Sequence, residues 1–129
     1  MGGRVVHFEI PFDDGDRARA FYRDAFGWNV QEMPEFSYTM AATGPATEQG
    51  MPSEPGFING GMFARSEEWP AAGPVIVVDV ESIDDTMARL TELGATSVVD
   101  KQPVGEMGFA AYFRDPEGNV IGLWESAAA

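Results

Sequence analysis

The strongest constraint on this chain is that one succession of apolar runs, turns and glycine stops occurs in it twice. Val5-Val6-His7-Phe8-Glu9-Ile10 alternates with period two, so Val6, Phe8 and Ile10 share one face of a strand and Val5, His7 and Glu9 the other. Pro11 is expected to end that strand. Asp13, Asp14 and Asp16 offer N-caps and early negative charge to a helix whose apolar stripe is Ala18, Phe21, Tyr22, Ala25 and Phe26, and Gly27 stops it. Three more strands are expected over residues 29–33, 36–42 and 58–64.

The pattern then restarts. Pro74 to Val80 is a strongly apolar strand, Ser82-Ile83-Asp84-Asp85 resembles a capping box, Ile83, Met87, Leu90 and Leu93 form a helical stripe, and Gly94 ends it. Strands are expected over 96–100, 109–114 and 120–125, the last two joined by the tight turn Asp115-Pro116-Glu117-Gly118-Asn119. Gly27 follows His7 by 20 residues and Gly94 follows Val75 by 19, which makes Val75 the internal counterpart of His7. Gly61-Met62-Phe63 likewise matches Gly122-Leu123-Trp124. The expectation is an α+β fold of two tandem βαβββ modules, residues 4–65 and 74–126, within a single domain; 129 residues at 44% hydrophobic content suffice for one ordinary core.

Between the modules' elements lie two irregular stretches. The Thr43 to Phe57 loop, rich in Pro and Gly, is long enough to be a lid over a site or partly disordered, and the Ser66 to Gly73 linker carries Pro70.

Composition removes several classes of function. There is no cysteine, so disulfides, thiolate nucleophiles, cysteine zinc sites and iron–sulfur clusters are excluded. The formal net charge of −13, with seven Arg and Lys101 as the basic residues, repels phosphate backbones and anionic lipid, so neither nucleic acid nor a membrane is an expected partner. No run approaches the roughly 18 to 20 apolar residues that span a bilayer, and charges within Met1 to Phe12 argue against a secretory peptide. A cytoplasmic location is the expectation.

Three stretches carry a family resemblance: Val6-His7-Phe8-Glu9-Ile10-Pro11, Ala20 to Trp28 (AFYRDAFGW) and Asp115-Pro116-Glu117-Gly118-Asn119. In this order and spacing the chain resembles the vicinal oxygen chelate superfamily, the glyoxalase, bleomycin-resistance and extradiol dioxygenase group. With Ile58-Asn59-Gly60-Gly61 it is also similar to small bacterial proteins called glyoxalase-related. The resemblance implies two curled mixed sheets facing each other around a central cleft that binds ligands, and a homodimer. In metal-dependent members it implies four cleft positions, usually His or Glu, that hold a divalent ion chelating two neighbouring substrate oxygens.

Carried onto this sequence, those positions are His7, Gly60 or Gly61, Val75 and Gly122, of which only His7 can ligate. The tight four-ligand site is therefore expected to be absent. Glu125 lies three residues beyond Gly122 and alternation sends it to the opposite face, whereas Glu9 shares the face of His7. His7 and Glu9 are the catalytic candidates. Glu9 is read equally well as a structural partner of an Arg such as Arg114. Tyr38, Gly61, Gly122 and Trp124 complete the candidate ligand-binding set, Tyr38 with a hydroxyl at the mouth and Trp124 as a stacking surface, with core packing as the alternative for both aromatics. The functional expectation is small-molecule binding in the cleft. Two alternatives stand beside it: a divalent-metal-dependent lyase, isomerase or dioxygenase related to lactoylglutathione lyase, and sequestration of a ligand without chemistry.

Overall fold

The structure is a computed structural model describing residues 3–48, 51–69 and 71–127. It is α+β, as expected, and the chain divides into two compact units. Gly50 of the long loop and Pro70 of the linker lie outside the described residues.

The first unit spans His7–Ser66 with Ala71–Pro74. Its elements are β1 (Val5–Phe12, which begins just before the unit), α1 (Gly15–Phe26), β2 (Asn29–Met33), β3 (Tyr38–Ala42) and β4 (Gly60–Ala64), and its sheet order is β2-β3-β4-β1. β1 runs parallel to β4, while β2–β3 and β3–β4 are antiparallel. The second unit, chiefly from Val75 onward, contains β5 (Val75–Asp79), α2 (Ile83–Glu92), β6 (Thr96–Val104), β7 (Gly108–Arg114) and β8 (Val120–Ser126). Its sheet repeats the same plan, β5 parallel to β8 and β8-β7-β6 antiparallel.

Both helices start and stop where their caps dictate. Asp14 Oδ1 accepts from the Arg17 N–H at 3.1 Å, and Gly27, at φ 72°, donates its N–H to the Arg23 carbonyl at 2.9 Å. Ser82 Oγ accepts from the Asp85 N–H at 3.1 Å to begin α2. Glu125 then supplies a second cap, its Oε1 accepting from the Ile83 N–H at 2.8 Å, with the Lys101 ammonium 3.7 Å away. The core of this unit is Ile83, Ala95, Ala111, Phe113 and Leu123, on the helix side of the sheet.

Five expectations need correction. β1 does not end at Pro11 but continues to Phe12, because a proline removes only its own donor and the Phe12 carbonyl still accepts from the Arg65 N–H at 2.9 Å. The third strand starts at Tyr38 rather than Phe36, since Pro34–Phe36 closes a single 3-10 turn that Ser37 leaves at φ 50°. The fourth starts at Gly60, because the Ile58 carbonyl and Asn59 side chain are taken by Thr43. The stripe of α1 is also rotated from its expected orientation. Phe21 is 59% and Phe26 65% exposed, and Arg19 reaches the sheet instead, donating to Thr39 Oγ1 at 3.0 Å and to Asp16 at 2.8 Å. In α2, Leu93 lies beyond the last helical residue and is exposed.

Removing the Glu125 cap leaves the N–H of a buried Ile83 unsatisfied, so Glu125→Ala is expected to lower stability by about 1–3 kcal/mol in denaturant unfolding. Glu125→Gln, which keeps an acceptor oxygen, should recover most of that loss.

Candidate functional site

Strand register brings a polar trio together on the face of the first sheet away from α1. Glu9 pairs with Gly61 and Pro11 with Phe63 across β1–β4; Met40 pairs with Gly61 and Tyr38 with Phe63 across β3–β4. Paired residues share a face, so His7, Glu9, Tyr38, Met40, Gly61 and Phe63 lie on one side. Phe8, Ile10, Thr39, Ala41 and Met62 lie on the other, under α1.

Gly61 has a specific steric role. A Cβ at that position would overlap the Tyr38 phenol, so the absent side chain is the space in which the tyrosine ring lies. The ring crosses β4 toward β1, and its hydroxyl ends between His7 and Glu9. It donates to Glu9 Oε2 at 2.6 Å and lies 2.8 Å from His7 Nε2, while Nε2 and Oε2 are themselves 4.0 Å apart.

The proton positions follow from counting donors. A phenol has one proton, and it is directed to the carboxylate; the His7 Nε2 must then carry a hydrogen that the phenol oxygen accepts. This fixes the Nε2–H tautomer and leaves Nδ1 with its lone pair. Burial pushes the His7 imidazole from 6.5 down to about 4, so it is neutral at pH 7. The trio is therefore a hydrogen-bonded chain, imidazole to phenol to carboxylate, with a neutral base at its outer end. Glu9 itself is only 5% exposed.

The other candidates separate by module. In the second sheet Val77 pairs with Gly122 and Gly122 with Tyr112, which puts Val77 at the position of Glu9 and Val75 at that of His7. A Cβ on Gly122 would meet the Tyr112 ring at 3.0 Å and Val77 Cγ2 at 3.1 Å, and the Trp69 ring stands edge-on to Tyr112 at 4.8 Å. Trp124 shares this face, with Nε1 donating to Ser126 Oγ at 3.2 Å. Gly60 belongs to the α1 face, where a Cβ would strike the Phe8 carbonyl. Arg114 donates to the Gly118 carbonyl at 3.3 Å, so it does not serve as the arginine partner that was one of the two readings of Glu9; the phenol of Tyr38 donates to that carboxylate. Tyr112 and Trp69 were not anticipated. The signal for Tyr112 was available in its alternation with Ala110 and Arg114 opposite Gly122; none existed for Trp69, which comes from a linker.

The donor set does not fit the four-ligand metal centre that the resemblance implies. Gly61, Val75 and Gly122 carry no donor atom, aromatic rings fill the space beside both glycines, and no three His, Asp or Glu side chains gather as a metal-binding group among the described residues.

Comparison with known proteins places the chain. The family described as Bleomycin resistance protein-like N-terminal matches residues 4–44. A glyoxylase-like domain-containing protein of Didymella fabae is 30% identical over 123 residues, covering 93% of this chain and 91% of that protein. The chain belongs to the vicinal oxygen chelate superfamily. Within this superfamily it is also 24% identical to CFP32 of Mycobacterium bovis, but spans 44% of that protein's length. Its fold is that of Streptomyces coelicolor methylmalonyl-CoA epimerase, solved with 2-nitronate-propionyl-CoA, at a TM-score of 0.64 and 21% identity over 99% of this chain and 100% of that one.

His7 is the sole histidine, so its titration can be read without ambiguity. NMR should show an Nε2–H imidazole with a midpoint near 4, and Gly61→Ala, which evicts the phenol, should lose the tautomer preference. The sign for stability follows: between about 6.5 and 4 the unfolded chain binds the proton and the folded one does not, so stability falls as pH drops through that window. His7→Gln should flatten that slope.

Proposed function

We propose that this vicinal oxygen chelate domain binds a small, largely apolar organic molecule against the His7–Tyr38–Glu9 face of its first module, without the superfamily's four-ligand metal centre. The observation that carries the reading is the Tyr38 hydroxyl seated between His7 and Glu9 in the space left by Gly61. His7 Nδ1 is the acceptor offered to a ligand hydroxyl, amide or acidic C–H, and the phenol and carboxylate behind it stabilise the imidazole as it gains positive character. The flanking strand positions on this face are Gln31, Met33, Met40 and Phe63, none of them basic, and the chain carries a net charge of −13. A polyanionic ligand gains nothing from such a surface. The domain acts as a homodimer in this reading.

A second reading has one observation in its favour, the 4.0 Å separation of His7 Nε2 and Glu9 Oε2, which a divalent ion displacing the phenol could bridge to support a lyase, isomerase or dioxygenase. Sequestration without chemistry shares the binding step with the first reading and differs only in the fate of the ligand.

A fragment library screened by NMR in the presence of EDTA is the direct test. Hits are expected to shift the His7 imidazole signals, and His7→Ala and Tyr38→Phe to weaken them by about tenfold, the loss of one or two buried hydrogen bonds. Stoichiometric divalent metal in the purified protein that disappears in His7→Ala would overturn the metal-free reading. Recovery of the bound fragment chemically unchanged after long incubation would separate sequestration from turnover.

A further inference from the structure

The rotation of α1 that turns Arg19 inward turns another stripe outward, and that stripe is self-complementary. Arg17, Phe21 and Asp24 lie at i, i+4 and i+7, on one face of the helix, and all three are exposed, Phe21 at 59%. The two charges are separated by seven residues, or about 10 Å along the axis, with Phe21 beside their midpoint. A two-fold axis through that midpoint, perpendicular to the helix, brings Arg17 of one copy against Asp24 of the other at both ends and stacks the two Phe21 rings at the centre.

Two further observations favour a partner for this stripe. Among the described residues neither the Arg17 nor the Asp24 side chain has an ion pair or hydrogen bond with the rest of the chain. Both charges also oppose the helix dipole: Arg17 stands in the first turn of α1 and Asp24 in the last, where anions and cations respectively are favoured. Charges placed against their own helix and left unpaired within the chain are matched by the antiparallel copy. Around them, Phe26 is 65% exposed and packs its ring 5.8 Å from Trp28, which adds apolar surface at the helix end.

We propose that α1 is a homodimer contact, an isologous antiparallel helix pair held by two reciprocal Arg17–Asp24 ion pairs across a Phe21–Phe21 centre. The assignment rests on the homodimer of the proposed function and adds where that dimer is joined. One helix face buries less than the about 1,600 Å² of a standard interface, so the expected dissociation constant is micromolar rather than nanomolar.

The test is sedimentation velocity on the full chain from micromolar to near-millimolar concentration. Arg17→Asp and Asp24→Arg alone should each weaken dimerisation by at least about tenfold through like-charge contacts at both ends. An equimolar mixture of the two variants should regain a heterodimer, because each then supplies the sign the other lacks. The double variant in one chain should likewise regain a homodimer. Both substitutions restore the favoured dipole sign and sit on exposed positions, so circular dichroism should show folding unchanged. A wild-type dimer unmoved by either variant, or a mixture that stays monomeric, overturns the helix assignment and leaves the homodimer reading standing; a wild-type chain monomeric throughout overturns both.

Discussion

The hydrogen bond from the Tyr38 phenol to Glu9 is the contact on which the first module's polar face depends. Glu9 is buried on a strand, and a buried carboxylate without a strong donor is costly enough to unfold a small domain. The phenol is one such donor, and to reach Glu9 it must cross β4, which is open only because residue 61 has no side chain. The parallel register of β1 and β4 sets Glu9 beside Gly61, and the antiparallel register of β3 and β4 sets Tyr38 two residues along from the same point. Sheet register, a glycine and a tyrosine are thus one device. His7 is recruited to it by the phenol's remaining acceptor capacity, which selects its tautomer and leaves Nδ1 with its lone pair.

Much of this architecture was legible before the structure because its signals are local. Asp14 and Ser82 announce helix starts, Gly27 and Gly94 announce stops, and the spacing between them repeats, so the two βαβββ modules could be read off without tertiary information. His7 and Glu9 could be placed on one face by alternation alone. What could not be read were facts that depend on contacts distant in sequence. Tyr38 was visible as an aromatic near a site, yet its tie to residues 29 and 31 positions away requires the register of three strands. The stripe of α1 fits either flank of the helix turning inward, and the choice was made by Thr39, a fully buried hydroxyl that needs the Arg19 guanidinium. Pro11 was given too much weight as a strand breaker, since its neighbour's carbonyl continues the pairing.

The repeated strand plan also shows how one scaffold can carry two different surfaces. At equivalent register positions the first module presents His7 and Glu9 and the second Val75 and Val77. In each, a tyrosine from the adjoining strand lies against a glycine, but the phenol of Tyr38 finds a carboxylate and an imidazole, whereas Tyr112 meets a valine and the edge of Trp69. The first surface can orient a hydrogen-bonding group and accept a proton through its imidazole; the second has valines at the positions of that imidazole and carboxylate. Glu125, the acid nearest in sequence to the expected ligand position of the second module, faces the other side of its sheet and is committed to starting α2.

These arrangements bear on how far the chain stands from the metal-dependent members of its superfamily. Gly61 and Gly122 are the positions at which the resemblance would place ligating side chains, and glycine there suggests a simple loss that one substitution could reverse. The packing argues otherwise. A side chain at residue 61 must displace the phenol and its hydrogen bond to buried Glu9, and one at residue 122 requires the Tyr112 ring and Val77 to give by a few tenths of an ångström at its Cβ alone. Aromatic rings lie beside both glycines, and at Glu9 a phenol donates to the carboxylate. Glycine and its neighbouring tyrosine are sterically linked at both positions, and a carboxylate placed at either glycine would first meet a close-packed ring.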